Sequence, residues 1–441
     1  MILSKTSLFD KSNIPADALD ILENFDSIVQ SVRPLNSKQL QQLPHNIKEF
    51  SHQLTDERGS RRLGYMNEAI QLSVYTRYYL WWNLVRQVRL FSNLNTSAFP
   101  SKDEVTALDI GTGPLTVVTA LWLARPELRT KKITWYVMDV SQNSMKAGED
   151  IFLSVAAKTK TKPWKIIRVK GSFGTHINQK ADFITCGNAM NEMEQASDMP
   201  PEYKAKKLYE QLKTYASPDC KYLMVEPGVP KSARLLSLFR TRFIKDGFSV
   251  HSPCPHAGEC PMNGFKAYTG SQNKWCNFAF STEDAPKKLL KLSDMAKLPK
   301  ERAVLSFISA VPGNALVNAE SSAKPSKEPA TLTLRIASDP LKLPGWQTGF
   351  YACSELGLTL VTVPTPKDNW KPEKKTKVSL HVHAAQSPGS NSNTKNSNKT
   401  EKPIELASGD LLTVKLNKKA PDLPKDEKSG AVKINLSNQV F

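Results

Sequence analysis

The chain has 441 residues, 40% of them apolar and 8% aromatic, which excludes a wholly disordered chain and allows two or three domains. Sixty Lys and Arg against 42 Asp and Glu leave a net charge of +18, so a polyanionic partner, most simply nucleic acid, is expected. No stretch reaches the ~18 consecutive apolar residues of a membrane span, and the most apolar segment, 105–124, is broken by Asp109, Gly111, Gly113 and Pro114.

Residues 1–60 read as short helices, and 1–100 as a helical N-terminal region. From Met66 to Leu94 apolar residues recur at helical spacing, with Arg77, Arg86 and Arg89 between them. Tyr78, Tyr79, Trp81 and Trp82 are expected to pack this long amphipathic helix against a neighbour rather than to stack on bases. From residue 105, apolar runs alternate with helical patterns. Strands are expected at 106–110, 133–138, 165–169, 181–185 and 222–225, with helices at 114–124, 141–157, 202–216 and 231–245. This alternation predicts an α/β fold, a parallel sheet covered on both faces over 101–312, with ligands bound outside the carboxyl ends of its strands. Residues 251–278 form a cysteine-rich insertion, followed by a basic segment at 287–302. Beyond 331 the chain reads as short strands at 331–337, 349–353, 358–363, 376–382, 411–415 and 431–436. With 14 Lys against 8 acidic residues over 366–441, this part is a small basic β-rich domain of the oligonucleotide-binding-barrel kind. The Ser/Asn/Lys-rich segments 318–329 and 384–402 are expected to be mobile.

The sharpest motif of the sheet region is Leu108-Asp109-Ile110-Gly111-Thr112-Gly113-Pro114-Leu115. An acid closes a strand, and two glycines make a tight turn into a helix, letting the backbone approach a ligand without Cβ interference. It resembles motif I of class I S-adenosylmethionine-dependent methyltransferases, except that Leu115 stands where a third glycine is usual. The resemblance implies a Rossmann-like domain that holds S-adenosylmethionine with Asp109, Gly111 and Gly113. Asp139, at the end of the next strand, would accept hydrogen bonds from the ribose. The strand 181–185 runs into Gly187-Asn188-Ala189-Met190-Asn191-Glu192, the edge that faces the methyl acceptor in such enzymes. Asn188, Asn191 and Glu192 are therefore the candidate catalytic residues, and Asn191 and Glu192 serve equally well as helix caps. No Asn/Asp-Pro-Pro-aromatic motif is present, which disfavours methylation of an exocyclic amino group.

Six cysteines are too few for a disulfide scaffold. Four of them, Cys254, Cys260, Cys276 and Cys353, are spaced C-x5-C-x15-C-x76-C, with prolines framing the first two. This is not a zinc-knuckle arrangement, and the spacing leaves iron–sulfur and zinc both open. The sheet region, Glu226-Pro227-Gly228-Val229-Pro230, Pro-Cys-Pro-His at 253–256 and Trp-Cys-Asn-Phe at 275–278 together resemble one family. It is the mitochondrial small-ribosomal-subunit methyltransferase-homologue family, which includes methyltransferase-like protein 17 and bacterial relatives. The resemblance implies binding to small-subunit ribosomal RNA in the assembling small ribosomal subunit. It also implies S-adenosylmethionine as cofactor and a structural 4Fe–4S cluster on Cys254, Cys260, Cys276 and Cys353. An RNA methyltransferase and a non-catalytic assembly factor of the same fold both remain open. A monomer without membrane association is expected. The first residues match neither a secretory signal nor an Arg-rich, acid-free presequence, so a bacterial cytoplasm is expected, with the mitochondrial matrix as the alternative.

Overall fold

A computed structural model describes residues 2–55, 66, 68–193, 199–265, 274–313, 331–365, 406–416 and 420–436. The expected strand 376–382 and segments 318–329 and 384–402 lie outside the described residues. The chain divides into a larger unit, 8–253 with 263–321, and a smaller one, 1–7 with 254–262 and 322–441.

The chain opens with β1 (Ile2–Ser7), a strand of the smaller unit where helix was expected. The larger unit begins with α1 (Ala16–Glu23), α2 (Phe25–Val32), α3 (Ser37–Thr55), α4 (Ala69–Val74) and α5 (Leu80–Phe91). A single π turn, Tyr75–Tyr79, joins α4 to α5 in one continuous helix. Tyr78, Trp81 and Trp82 are each only 1% exposed. Trp81 donates to the Leu22 carbonyl at 2.8 Å and Trp82 to Ser293 Oγ at 3.1 Å, so these rings are core.

The sheet follows in βα order: β2 (Glu104–Ile110), α6 (Thr116–Ala124), β3 (Lys132–Asp139), α7 (Gln142–Lys158), β4 (Lys165–Lys170) and β5 (Ala181–Gly187). Then come α8 (Met190–Met193), α9 (Pro201–Tyr215), β6 (Ala216–Pro227), α10 (Pro230–Lys245), β7 (Phe248–Ser252), β8 (Phe278–Ser281), α11 (Lys287–Met295) and β9 (Arg302–Pro312). The spatial order is β4-β3-β2-β5-β6-β9-β7, with β8 beside β9. The first five strands are parallel, and β9 inserts antiparallel to both β6 and β7. This is the doubly wound, Rossmann-like class I methyltransferase fold that the sequence predicts. Every residue of α6 is buried, as expected of a helix sandwiched between the sheet and another helix. β2 is likewise a continuous buried run from Ala107 to Ile110.

The smaller unit continues with β10 (Thr331–Ile336), β11 (Leu341–Leu343), β12 (Gln347–Ser354), β13 (Gly357–Pro364), β14 (Asp410–Lys415) and β15 (Val432–Asn435). Their order is β1-β14-β10-β12-β13-β15, with β11 beside β12. Among the described residues this order is an open path, with no ladder joining β1 to β15. The sheet has its own core, built around Leu334, Ile336, Phe350, Val361, Leu412 and Val414. β1 pairs antiparallel with β14 from Ile2↔Val414 to Ser7↔Asp410, and Lys5 meets the buried Asp410 carboxylate at 3.1 Å.

Candidate cofactor and acceptor site

The turn after β2 takes three left-handed residues, Gly111 (φ 62°), Gly113 (φ 53°) and Leu115 (φ 55°). Gly111 is demanded by packing, because a Cβ there would lie 2.3 Å from the Ala189 Cβ. At Gly113 the nearest atom would be Ser144 Oγ at 4.0 Å, so this glycine leaves open space beside the backbone. Leu115 replaces the usual third glycine at a cost of ~1–2 kcal/mol for its left-handed backbone, offset by complete burial of its side chain. The turn keeps its shape without that glycine.

Two carboxylates fix this turn from opposite sides. Asp109 is fully buried, and its two oxygens accept from the Thr112 hydroxyl at 2.6 Å and the Thr185 hydroxyl at 2.7 Å. Burial pushes its pKa up to about 7, against the pull of the two hydroxyls. It braces the turn from within and exposes no edge to a ligand. Asp139, at the end of β3, is part-exposed. Its oxygens accept the Gly113 amide at 2.9 Å and the Ser141 amide at 2.8 Å. Burial raises its pKa, and these amides oppose the rise. A carboxylate oxygen with one amide donor keeps capacity for another, so Asp139 can still accept hydroxyls.

The carboxyl end of β5 lies next to this turn. A Cβ on Gly187 would lie 2.7 Å from Val117 Cγ2 and 3.2 Å from Gln87 Nε2, which puts the Gln87 amide against the strand end. Among the described residues Gln87 Oε1 and Ser144 Oγ are buried polar atoms without a hydrogen-bond partner. Such atoms are costly unless a polar ligand completes them. Asn188 follows in a left-handed conformation (φ 59°), its amide donating to the Val225 carbonyl at 2.8 Å. Asn191 and Glu192 lie on α8, where Glu192 is exposed. The α8 backbone is anchored by Glu226, a fully buried carboxylate that accepts the Met190 amide at 2.9 Å. Tyr75, from the π turn, has its phenol pKa raised first by burial, then by Glu192, and further by Asp139. The π turn of this helix thus lies within electrostatic reach of both Asp139 and Glu192.

The family model described as mitochondrial small ribosomal subunit Rsm22 matches residues 92–326, more than half of the chain. The chain belongs to the Rsm22 family. No curated protein matches it. Similar solved structures include S-adenosylmethionine-dependent methyltransferases from Geobacter sulfurreducens and Thiobacillus denitrificans, both in complex with S-adenosyl-L-homocysteine. The first has 11% identity and a TM-score of 0.29, covering 52% of this chain and 90% of that one. The second has 15% identity and a TM-score of 0.29, with the same 52% and 90%. The plantazolicin methyltransferase BpumL has 13% identity and a TM-score of 0.28, covering 67% of this chain and 97% of that one.

The Rsm22 match spans the turn, Asp139, the β5 edge and Cys254, Cys260 and Cys276, and stops before Cys353. Cys254 and Cys260 belong to the smaller unit with Cys353, a buried residue of β12, whereas Cys276 belongs to the larger. None of the four is in a disulfide bond. Among the described residues no three His, Cys, Asp or Glu side chains come together as metal ligands. No described helix is long and apolar enough to cross a membrane. Tyr75, Arg86, Gln87, Ser144, Glu226 and Lys300 were not among the sequence candidates. Three of them lie in the helix ahead of the matched region, where the sequence signal is only amphipathic periodicity.

Proposed function

We propose that this Rsm22-family chain is an S-adenosylmethionine-dependent methyltransferase whose acceptor is small-subunit ribosomal RNA in the assembling subunit. One observation carries the reading: the Asp139 carboxylate is held by the Gly113 and Ser141 amides, and among the described residues Ser144 Oγ near Gly113 and Oε1 of Gln87, whose amide lies against the end of β5, are buried without a hydrogen-bond partner. These groups fit a ligand with hydroxyls at one end and an amino acid at the other. When bound, the cofactor supplies an electrophilic methyl group. Gly111 and Gly113 shape the turn, Asp109 braces it, and Asp139 accepts the ribose hydroxyls. In this reading Asn188, at the end of β5, and Asn191 and Glu192, on α8, orient the acceptor, and exposed Glu192 takes up a released proton. Transfer to an atom that is already nucleophilic needs chiefly this alignment.

A second reading, an RNA-binding assembly factor without catalysis, is favoured by one feature. Asp109 and Glu226 are both buried and spend hydrogen bonds on the fold itself, on two threonine hydroxyls and the Met190 amide. Anaerobically purified protein, methyl-labelled S-adenosylmethionine and small subunits from cells lacking this protein decide between the two. Label in the ribosomal RNA supports the enzyme. Binding to the same particles without label overturns it in favour of the assembly factor.

For the cysteines, the thiolate donor set and the family resemblance support a 4Fe–4S cluster, or zinc, on Cys254, Cys260, Cys276 and Cys353. Among the described residues no three such side chains come together, and no chemical step is assigned to a metal. Iron and acid-labile sulfide in anaerobically purified protein, lost in Cys254→Ser, would support the cluster; zinc alone would replace it. The family's mitochondrial description agrees with the second of the two compartments expected from the sequence.

A further inference from the structure

Two cations of the larger unit lie together without a counter-charge. Arg86 Nη1 donates to the Val304 carbonyl at 3.2 Å, and its other terminal nitrogen donates to Asn83 Oδ1. Both partners are neutral. Lys300, four residues before Val304, places its amine 5.4 Å from the Trp82 ring centroid and 5.8 Å from that of Tyr78, one and two turns back on the helix carrying Arg86. Among the described residues neither cation pairs with a carboxylate. Neighbouring half-buried charges of one sign are costly, and proteins keep them chiefly where an anion completes them. Both side chains retain an accessible edge. Burial, and then Arg86, pull the Lys300 pKa down to about 7, the mark of an amine short of a negative partner.

Position says which anion. Val304 packs on Gly228 at the carboxyl end of β6, where Pro227 pairs with Leu305. The cofactor turn follows β2, and β5 lies between β2 and β6. Val304 is on β9, three strand spacings or about 14 Å from β2, on the side of the Asn188–Glu192 edge, and Arg86 is also within electrostatic reach of Tyr75. A methionine carboxylate tied to the Gly113 turn belongs over β2, whereas a nucleotide presented at the end of β5 has its backbone over β6 and β9. We infer that Arg86 and Lys300 form an oxyanion subsite that grips a backbone phosphate of the RNA acceptor beside the methyl-transfer edge. This inference rests on the RNA-acceptor reading and assigns that reading a specific anchor. Tyr78 and Trp82 hold the amine by its ring contacts, so the subsite is built before RNA arrives.

The test uses full-length Lys300→Met and Lys300→Arg proteins, a short single-stranded RNA oligonucleotide of small-subunit sequence, and S-adenosyl-L-homocysteine. Removing an unpaired cation should not unfold the chain, and retained S-adenosyl-L-homocysteine binding verifies this. Lys300→Met is expected to bind RNA about tenfold more weakly, with a log–log salt slope shallower by roughly 0.7 for one lost phosphate contact on a single strand. Lys300→Arg restores both, and S-adenosyl-L-homocysteine affinity changes by less than about twofold. Wild-type RNA affinity and slope in Lys300→Met overturn the phosphate subsite while leaving the RNA-acceptor reading intact. Loss of S-adenosyl-L-homocysteine binding with RNA binding unchanged also overturns it, and assigns the pair to the cofactor carboxylate. If the wild-type protein itself fails to bind RNA, the acceptor reading and the subsite fall together.

Discussion

Replacing Asp109 with Asn should make the protein more stable above neutral pH and less stable in acid. The Asp109 carboxyl is fully buried, and burial carries its pKa from the ordinary 3.8 to about 7. The folded state therefore binds this proton more tightly than the unfolded chain does between those two values. Stability falls as pH rises through that window, and the whole penalty is present above pH 7. At about 1.4 kcal/mol per pKa unit, the displacement corresponds to roughly 4 kcal/mol. An asparagine amide stays neutral, so Asp109→Asn removes this penalty. It can still accept from one threonine hydroxyl and must donate to the other, a rearrangement costing ~1 kcal/mol. The net expectation is a gain of about 3 kcal/mol at pH 8 and a loss of about 1 kcal/mol near pH 4. Guanidinium unfolding at several pH values, followed by fluorescence, measures it, because Trp122, Trp135 and Trp164 are buried in this unit. Other acids titrate in the same range, but they cancel in the difference between variant and wild type. Asp139 is the exception, since it adds to the rise of Asp109. Parallel stability profiles for the two proteins would refute the reasoning.

Asp139 and Asp109 should separate in a cofactor assay. Asp139→Asn is expected to weaken S-adenosyl-L-homocysteine binding at least tenfold, whereas Asp109→Asn changes it little, as measured by isothermal titration. Gly148→Ala should cost ~2 kcal/mol or more, because its Cβ would lie 2.3 Å from the Pro114 carbonyl carbon and push α7 off the turn; a lowered melting temperature with weakened homocysteine binding is the readout. Lys5→Met leaves the Asp410 carboxylate, only 1% exposed, without its cation. A loss of ~3 kcal/mol is expected, read as faster hydrogen exchange across β1 and β14.

Much of the larger unit is legible in the sequence because a parallel sheet covered on both faces writes itself as apolar runs separated by helical ones. The expected strand at 106–110 is β2, Glu104–Ile110, and the expected helix at 231–245 is α10, Pro230–Lys245. The glycine turn is legible for a related reason, since Gly111 answers a steric demand that only its missing Cβ satisfies. Elements that depend on distant partners are not legible. Residues Ile2–Ser7 are mostly exposed and carry little pattern, and their strand exists only because Asp410–Lys415 lies some four hundred residues further on. The run at 302–312 is mostly apolar, broken only by Arg302, Ser306 and Ser309, and so short an apolar run does not by periodicity alone tell a buried antiparallel strand from a helix.

The candidate site divides along the same line. Gly113 and Asp139 are readable because they sit on the strand ends that every doubly wound sheet offers to a ligand. Arg86, Gln87 and Lys300 are not, because each looks locally like an ordinary member of a helix face or a basic segment. Their chemistry arises from what the fold withholds from them: a carboxylate from Arg86 and Lys300, a donor from Gln87 Oε1. A missing partner has no sequence signature, since it is a property of the space around a side chain. The part of the site proposed to grip the acceptor therefore enters from the helix before the sheet and from the segment leading into β9, while the glycine turn stays within the first βα units.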